Sequence, residues 1–272
     1  DIMKSLKSSI VRSGKGPMKK TMKRVLCAAA AIMLSFSLAA CNNSEPAEDP
    51  KVLLENASEK MKELDSLSMN ANISVNMEMS SSATENLSLD MPVEMTVEMA
   101  GIQSDLMYHT IVDASLFGTN ISTEQTYYDG VVYTNTDGQK TMMTMDVSEA
   151  RQMANVGEVS TEFKNMKASK DGDKTIVTIE PTKEELTQLM DTLGSLEGST
   201  MDEETLAALS SLTFDAFVIT INKDGYIENE KFGFSAEEEG IKVVFTTEIK
   251  VSGYDSTTVE MVDPGEYEAL NY

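Results

Sequence analysis

The sequence predicts an α+β domain built on unusually long antiparallel β-strands. Three observations carry this. In "LSMNANISVNMEM" every odd position from 67 to 79 is apolar (Leu67, Met69, Ala71, Ile73, Val75, Met77, Met79), and every even one is polar. The same alternation returns at Leu87, Leu89, Met91, Val93, Met95, Val97 and Met99. Strict period two over seven apolar positions means a strand with one wet face and one buried face. Thirteen residues at ~3.3 Å each span roughly 43 Å, and strands of that length twist and curl toward a barrel or half-barrel. The third observation is a series of Asp-Gly pairs set between apolar or β-branched runs, each a hairpin signal.

The elements follow in order. Asp49-Pro50 combines an N-cap residue with a proline suited to the first helical position. Val52, Leu53, Ala57, Met61 and Leu64 then recur at helical spacing, which predicts an amphipathic helix over 50–64. The two long strands are joined by a polar turn at about 80–86. Pro92 falls on the polar parity and marks an edge or a bulge. Asp129-Gly130 and Asp137-Gly138 separate three strands, "TEQTYY", "VVYTNT" and "QKTMMTM". A short helix over 147–155 begins at Asp146 or Ser148. Asp171-Gly172 joins strands at 161–169 and 174–180, and Asp224-Gly225 joins strands at 213–223 and 226–236. Between these hairpins lies a helix pair. Its first member opens at Pro181 with Thr182 and Glu185 in capping-box spacing, and its second covers 202–211. Residues 241–251 alternate once more, and a final short strand is expected at 257–262. No tandem repeat or second boundary is present, so 50–272 is expected to form one domain.

Charge is divided unevenly. The chain carries 22 Lys/Arg and 45 Asp/Glu, a formal net of −23. Eight of the basic residues and one of the acids fall in 1–40, which leaves a net of −30 on the remainder. Such a body repels nucleic-acid phosphates and anionic headgroups, so a nucleic-acid partner is not expected. The basic stretch Met18–Arg24 precedes an apolar run, Val25–Phe36. That run is shorter than the roughly 20 residues of a transmembrane helix and suits a signal-peptide core. Leu38-Ala39-Ala40-Cys41 then resembles the lipobox of bacterial lipoproteins, with small residues before a cysteine whose thiol takes a diacylglyceryl group. The expected organisation is a removed leader with an upstream extension (1–40), lipidated Cys41 with a polar tether to residue 49, and the folded domain. Cys41 then anchors the protein to the membrane on the extracytoplasmic side. Cys27, the other cysteine, lies within the leader, so the mature chain has no disulfide.

The succession of one N-terminal helix, two long paired strands, hairpins, an inserted helix pair and closing strands resembles the LolA-like lipoprotein-carrier superfamily. That superfamily includes mycobacterial lipid-binding lipoproteins of the LppX and LprG type. "ASEKMKELDSLSMNANISVNMEM" (57–79) and "YYDGVVYTNTDGQKTMM" (127–143) carry the resemblance. It implies a curved antiparallel sheet, a half-barrel of ten or eleven strands, with helices covering the concave face and a hydrophobic cavity between them. Known members hold acyl chains there.

The expected ligand face is Met69, Ile73, Val75, Met77, Met79, Leu89, Met91, Val93, Met95, Val97 and Met99. Methionine is flexible and polarizable, which suits an adaptable pocket for lipid tails; an ordinary sheet-to-helix core needs the same alternation. Catalysis is not expected. His109 is the only histidine, no G-x-S-x-G context surrounds a serine, and runs such as Glu237-Glu238-Glu239 belong on solvated faces in so acidic a chain. No cofactor or metal is implied. Two functions stand: a membrane-anchored lipoprotein that binds a lipid or other hydrophobic ligand, or a ligand-free interaction or sensor module that contacts an envelope protein.

Overall fold

Helix α1 (Pro50–Lys62) starts where the cap residues place it. Asp49 Oδ1 accepts from the Lys51 N–H at 3.0 Å, and Pro50 occupies the first turn. Lys60 and Lys62 in the last turn complement the carbonyl end of the helix. Leu54, Ala57 and Ser58 are its buried residues. Leu64, expected as its last turn, lies beyond the helix but is still buried. The structure, a computed structural model, describes residues 49–81, 84–116, 119–154, 163–186, 212–238 and 241–270.

Two long strands follow, β1 (Leu67–Ser81) and β2 (Thr84–Ala100). They pair antiparallel from Leu67↔Met99 to Ser81↔Thr84, so both apolar sets lie on one face of the sheet. Next come β3 (Met107–Leu116), β4 (Thr119–Tyr128), β5 (Val131–Thr136) and β6 (Gln139–Thr144). Helix α2 (Val147–Ala154) follows, then β7 (Met166–Asp171) and β8 (Lys174–Ile179). Then come β9 (Thr213–Phe214), β10 (Phe217–Ile221), β11 (Ile227–Glu238) and β12 (Ile241–Ser252). A 3-10 turn at Pro264–Glu266 leads into β13 (Glu268–Ala269).

All thirteen strands form one open, curved sheet in the order β13-β6-β5-β4-β3-β2-β1-β12-β11-β10-β8-β7, with β9 added beside β11. Neighbours are antiparallel except β13 and β6. The strand number exceeds the expected ten or eleven, and the two-residue β9 and β13 account for the difference. Among the described residues no helix is long and apolar enough to cross a membrane.

Local chemistry explains the turns. Asp129 and Gly130, like Asp137 and Gly138, both have positive φ, the geometry of a two-residue type I′ hairpin. Pro92 sits opposite Ser74 on β1, and the β2–β3 ladder ends one residue later at Val93↔Ala114. A proline cannot donate to a neighbour on that side, so the first half of β2 is left as an edge. Asp146 caps α2, with its carboxylate accepting from the Ser148 N–H at 2.7 Å. Thr182 and Glu185 form the capping box at the start of the helical residues 183–186: Thr182 N donates to Glu185 Oε2 (2.7 Å) and Glu185 N to Thr182 Oγ1 (3.3 Å).

Several expectations need correction. The strand expected at 213–223 is interrupted at Asp215-Ala216, where the chain passes from β9 to β10. The strand expected at 161–169 begins instead at Met166. Residues 257–262 form no strand. They belong to a strap that crosses the outer side of the sheet. Asp255 Oδ1 accepts from the Asp65 N–H at 2.7 Å, and the Tyr128 hydroxyl donates to the Val262 carbonyl at 2.9 Å. Tyr267 meets Tyr133 edge-on, and Val259 is buried. The expected helix at 202–211, most of its partner, and the leader lie outside the described residues.

Candidate functional site

The inner face of the sheet is built by register. Val75 faces Met91 on β2 and Phe245 on β12, and Phe245 faces Phe234 on β11. Ala71 faces Met95 and Ile249 in the same way. Opposed residues share a face, so one apolar surface runs continuously across β2, β1, β12, β11, β10 and β8.

Two core clusters divide this surface. The first gathers Val75, Met91, Ile73 and Leu89 with Leu54 and Ala57 of α1 and an aromatic group from β10–β12. Phe217 meets Phe232 edge-on, and Phe234 stacks on Phe245 at 4.8 Å. The second gathers Met69, Met95, Val97 and Met99 with Leu67, Tyr108 and Tyr127. Met61 of α1 packs against both.

The expected ligand residues therefore lie on one face, but burial separates them. Val75, Met91 and Met99 are buried, whereas Met69, Ile73, Met77, Leu89, Val93, Met95 and Val97 keep part of their surface accessible. Met79 belongs to β1, opposite Leu87 and Ile241; its side chain lies outside the described residues, as does Cys41.

One inner-face residue was missed by sequence reasoning. The register passes from Thr220↔Asn229 to Ile221↔Ile227, which makes Glu228 the extra residue of a bulge. The bulge turns Ile227 inward beside Ile221, and both are buried. It also leaves Glu230 on the inner face, opposite Ile219 on β10 and Ile249 on β12, two residues before buried Phe232. Burial in this apolar setting pushes the Glu230 carboxyl up to about 7. The signal was available, since Glu230 shares the parity of Phe232, Phe234 and Ala236.

The outer face carries the polar chemistry. His109 lies between two carboxylates, with Nε2 3.0 Å from Glu124 Oε1 and Nδ1 3.5 Å from Glu98 Oε2. Glu248 accepts from Asn229 at 2.8 Å and pairs with Lys231 at 3.1 Å, and these bonds hold its carboxyl below the usual range. Nearby is a groove of about 550 Å³ whose walls include Asn72, Ser74, Glu94, Lys231 and Glu248. Ile73 and Val93 of the expected ligand face reach this groove as well.

The architecture is thus an open curved antiparallel sheet with α1 laid over its apolar face. Residues 49–262 match a family described as a family of unknown function, DUF6612, and the chain belongs to that family. Similar solved structures include LprF from Mycobacterium bovis, at 10% identity over 81% of this chain and 99% of that one, with a TM-score of 0.42. Another is the LolA superfamily protein NE2245 from Nitrosomonas europaea, at 10% identity over 75% of this chain and 94% of that one, with a TM-score of 0.21. No match is found among curated proteins.

Proposed function

We propose that this protein is an extracytoplasmic lipoprotein that holds a lipid or another hydrophobic molecule against the inner face of its sheet. The observation that supports this reading is the incomplete cover of that face. Seven of the eleven expected ligand residues remain partly accessible, although they share a surface with a buried core. Apolar surface left open on the concave side of a sheet is surface a hydrophobic ligand can fill. The methionines among them adapt to ligands of differing shape. In this reading Cys41 carries the diacylglyceryl anchor, and two acyl chains suffice for stable attachment. The body stands off an anionic membrane on the 42–49 tether because body and tether together carry a net −30 charge.

The test is native mass spectrometry of the full chain after gentle detergent extraction, with saturation binding of a fluorescent fatty-chain probe. A bound lipid or saturable probe binding is expected, weakened at least tenfold by Met95→Asp. Absence of both overturns the reading. Cys41→Ala should abolish incorporation of labelled fatty acid; continued labelling would overturn the anchor. The alternative, a ligand-free interaction module, draws on the polar groove of the outer face. Loss of a captured envelope protein on Lys231→Glu, with no lipid ever bound, would favour it.

A further inference from the structure

We propose that Glu230 receives the polar end of the ligand, and that this ligand is a cationic amphiphile, an ammonium head on a hydrocarbon tail. The inference rests on the hydrophobic-ligand reading above and adds the chemistry of the head.

The geometry is that of a carboxylate surrounded by hydrocarbon. Glu230 lies in register between Ile219 and Ile249, with Phe232 next on its face and Thr247 on the diagonal. As a residue it keeps part of its surface accessible, while its carboxyl is desolvated by the apolar side chains around it. The charged neighbours on β11 and β12 point away: Lys231 engages Glu248 on the outer face, and Lys250 lies 3.9 Å from the same carboxylate. Glu228, in the bulge, is taken by Lys174.

Helix α1 packs across β11 and turns Leu54, Ala57 and Ser58 inward. Its Lys60 is directed to the Asp224 carbonyl and the Tyr226 ring. The polar atoms that α1 buries without a partner among the described residues are Ser58 Oγ and Glu55 Oε1, and both can accept hydrogen bonds. Among the described residues, Glu230 with Glu55 and Ser58 of α1 thus offers acceptors and negative charge on the inner side, and the chain's net charge enriches cations around it. An ammonium supplies three donors and the missing counter-charge. A free carboxyl with a pKa of about 7 must lose its proton to make that pair, so binding weakens as pH falls.

The experiment compares three probes of one tail length, dodecylammonium, dodecanol and dodecanoate. Their affinities for the full chain are measured by calorimetry in 150 mM salt at pH 8 and pH 6, with wild type, Glu230→Gln and Glu230→Met. Dodecylammonium is expected to bind tightest and to lose about tenfold between pH 8 and pH 6. Both variants should weaken it at least tenfold and leave dodecanol within about twofold. Circular dichroism confirms that each variant is folded, and removal of a desolvated charge makes both at least as stable as wild type. Dodecanoate binding as tightly as dodecylammonium, or an unchanged ammonium affinity in the folded variants, overturns the cationic head and leaves the hydrophobic-ligand reading standing. Failure of all three probes to bind overturns both.

Discussion

Glu185→Ala tests the joint that starts the inserted helical segment. Glu185 is 3% exposed, and its two oxygens accept from Thr182 N at 2.7 Å and Lys164 N at 2.9 Å. Loss of a helix cap costs about 1 kcal/mol. Leaving the part-buried Lys164 N–H without an acceptor adds about 1–2 kcal/mol. The expected loss is then about 2–3 kcal/mol. With a urea m-value of ~2.5 kcal/mol/M, suited to a domain of this size, the midpoint falls by about 1 M with unchanged slope. Urea titration followed by far-UV circular dichroism reads this directly. A midpoint drop under ~0.2 M, or below about 0.5 kcal/mol, would refute the reasoning, because it would mean that water replaces both bonds at no cost.

Three further expectations concern Glu185, two turn glycines and Tyr128. Burial alone would raise the Glu185 carboxyl, but hydrogen bonds from Thr182 and Lys164 outweigh it and hold it below the usual range. Its stabilisation is present above the unfolded value of about 4.3 and lost as pH falls through the folded one, so the midpoint gap between wild type and Glu185→Gln closes in acid. Gly101→Ala and Gly138→Ala share positive φ, yet a Cβ at Gly101 would lie 2.2 Å from the Asp105 carbonyl oxygen and one at Gly138 would meet nothing within 4 Å. Gly138→Ala should cost about 1 kcal/mol in thermal or urea unfolding, and Gly101→Ala more than twice that. Tyr128→Phe removes the hydroxyl that holds the Val262 carbonyl. It should raise amide exchange and protease cleavage within 257–270 about fivefold, with little change in the global midpoint.

The long strands and hairpins were legible because period two and Asp-Gly turns are local signals. The N-cap at Asp49 and the capping box of Thr182 and Glu185 were legible for the same reason, and the start of α2 was narrowed to Asp146 or Ser148. The strap was not. Tyr127-Tyr128 and Val132-Tyr133 put bulky side chains on both faces of β4 and β5, which announces that both faces are covered. Nothing local says that the outer cover is residues 257–267, over a hundred residues away, held through Tyr128 and Tyr267. The break at Asp215-Ala216 was equally hidden. It follows from β11 pairing β10 at Lys231 and β9 at Phe234, with the Asp215 N–H donating to the Gly233 carbonyl at 2.9 Å between them. Gly233 fits there because a Cβ would lie 2.7 Å from Asp215 Oδ2 and 2.9 Å from the Phe245 carbonyl oxygen. For the inner face, parity gave which residues share it but not how they are covered, since accessibility depends on what α1 overlies.

Glu230 shows how far parity can be pressed. Its carboxyl is raised to about 7 in the folded protein by burial, against about 4.3 in an unfolded chain. A raised carboxyl destabilises the fold: the penalty is absent below pH 4, grows as pH rises, and is complete above pH 7. The shift corresponds to on the order of 3 kcal/mol, less whatever water reaching a partly exposed group returns. Glu230→Gln, which never ionises, should therefore match wild type in urea midpoint near pH 4 and exceed it at pH 8, by up to about 1.5 M. Equal midpoints at both pH values would show that the carboxylate is solvated in the folded state, and would remove the desolvation on which its pairing with a cationic head depends. A stability gain at pH 8 would mean that the chain keeps an acid where an amide would serve the fold better. That is the pattern expected of a group retained for binding rather than for packing.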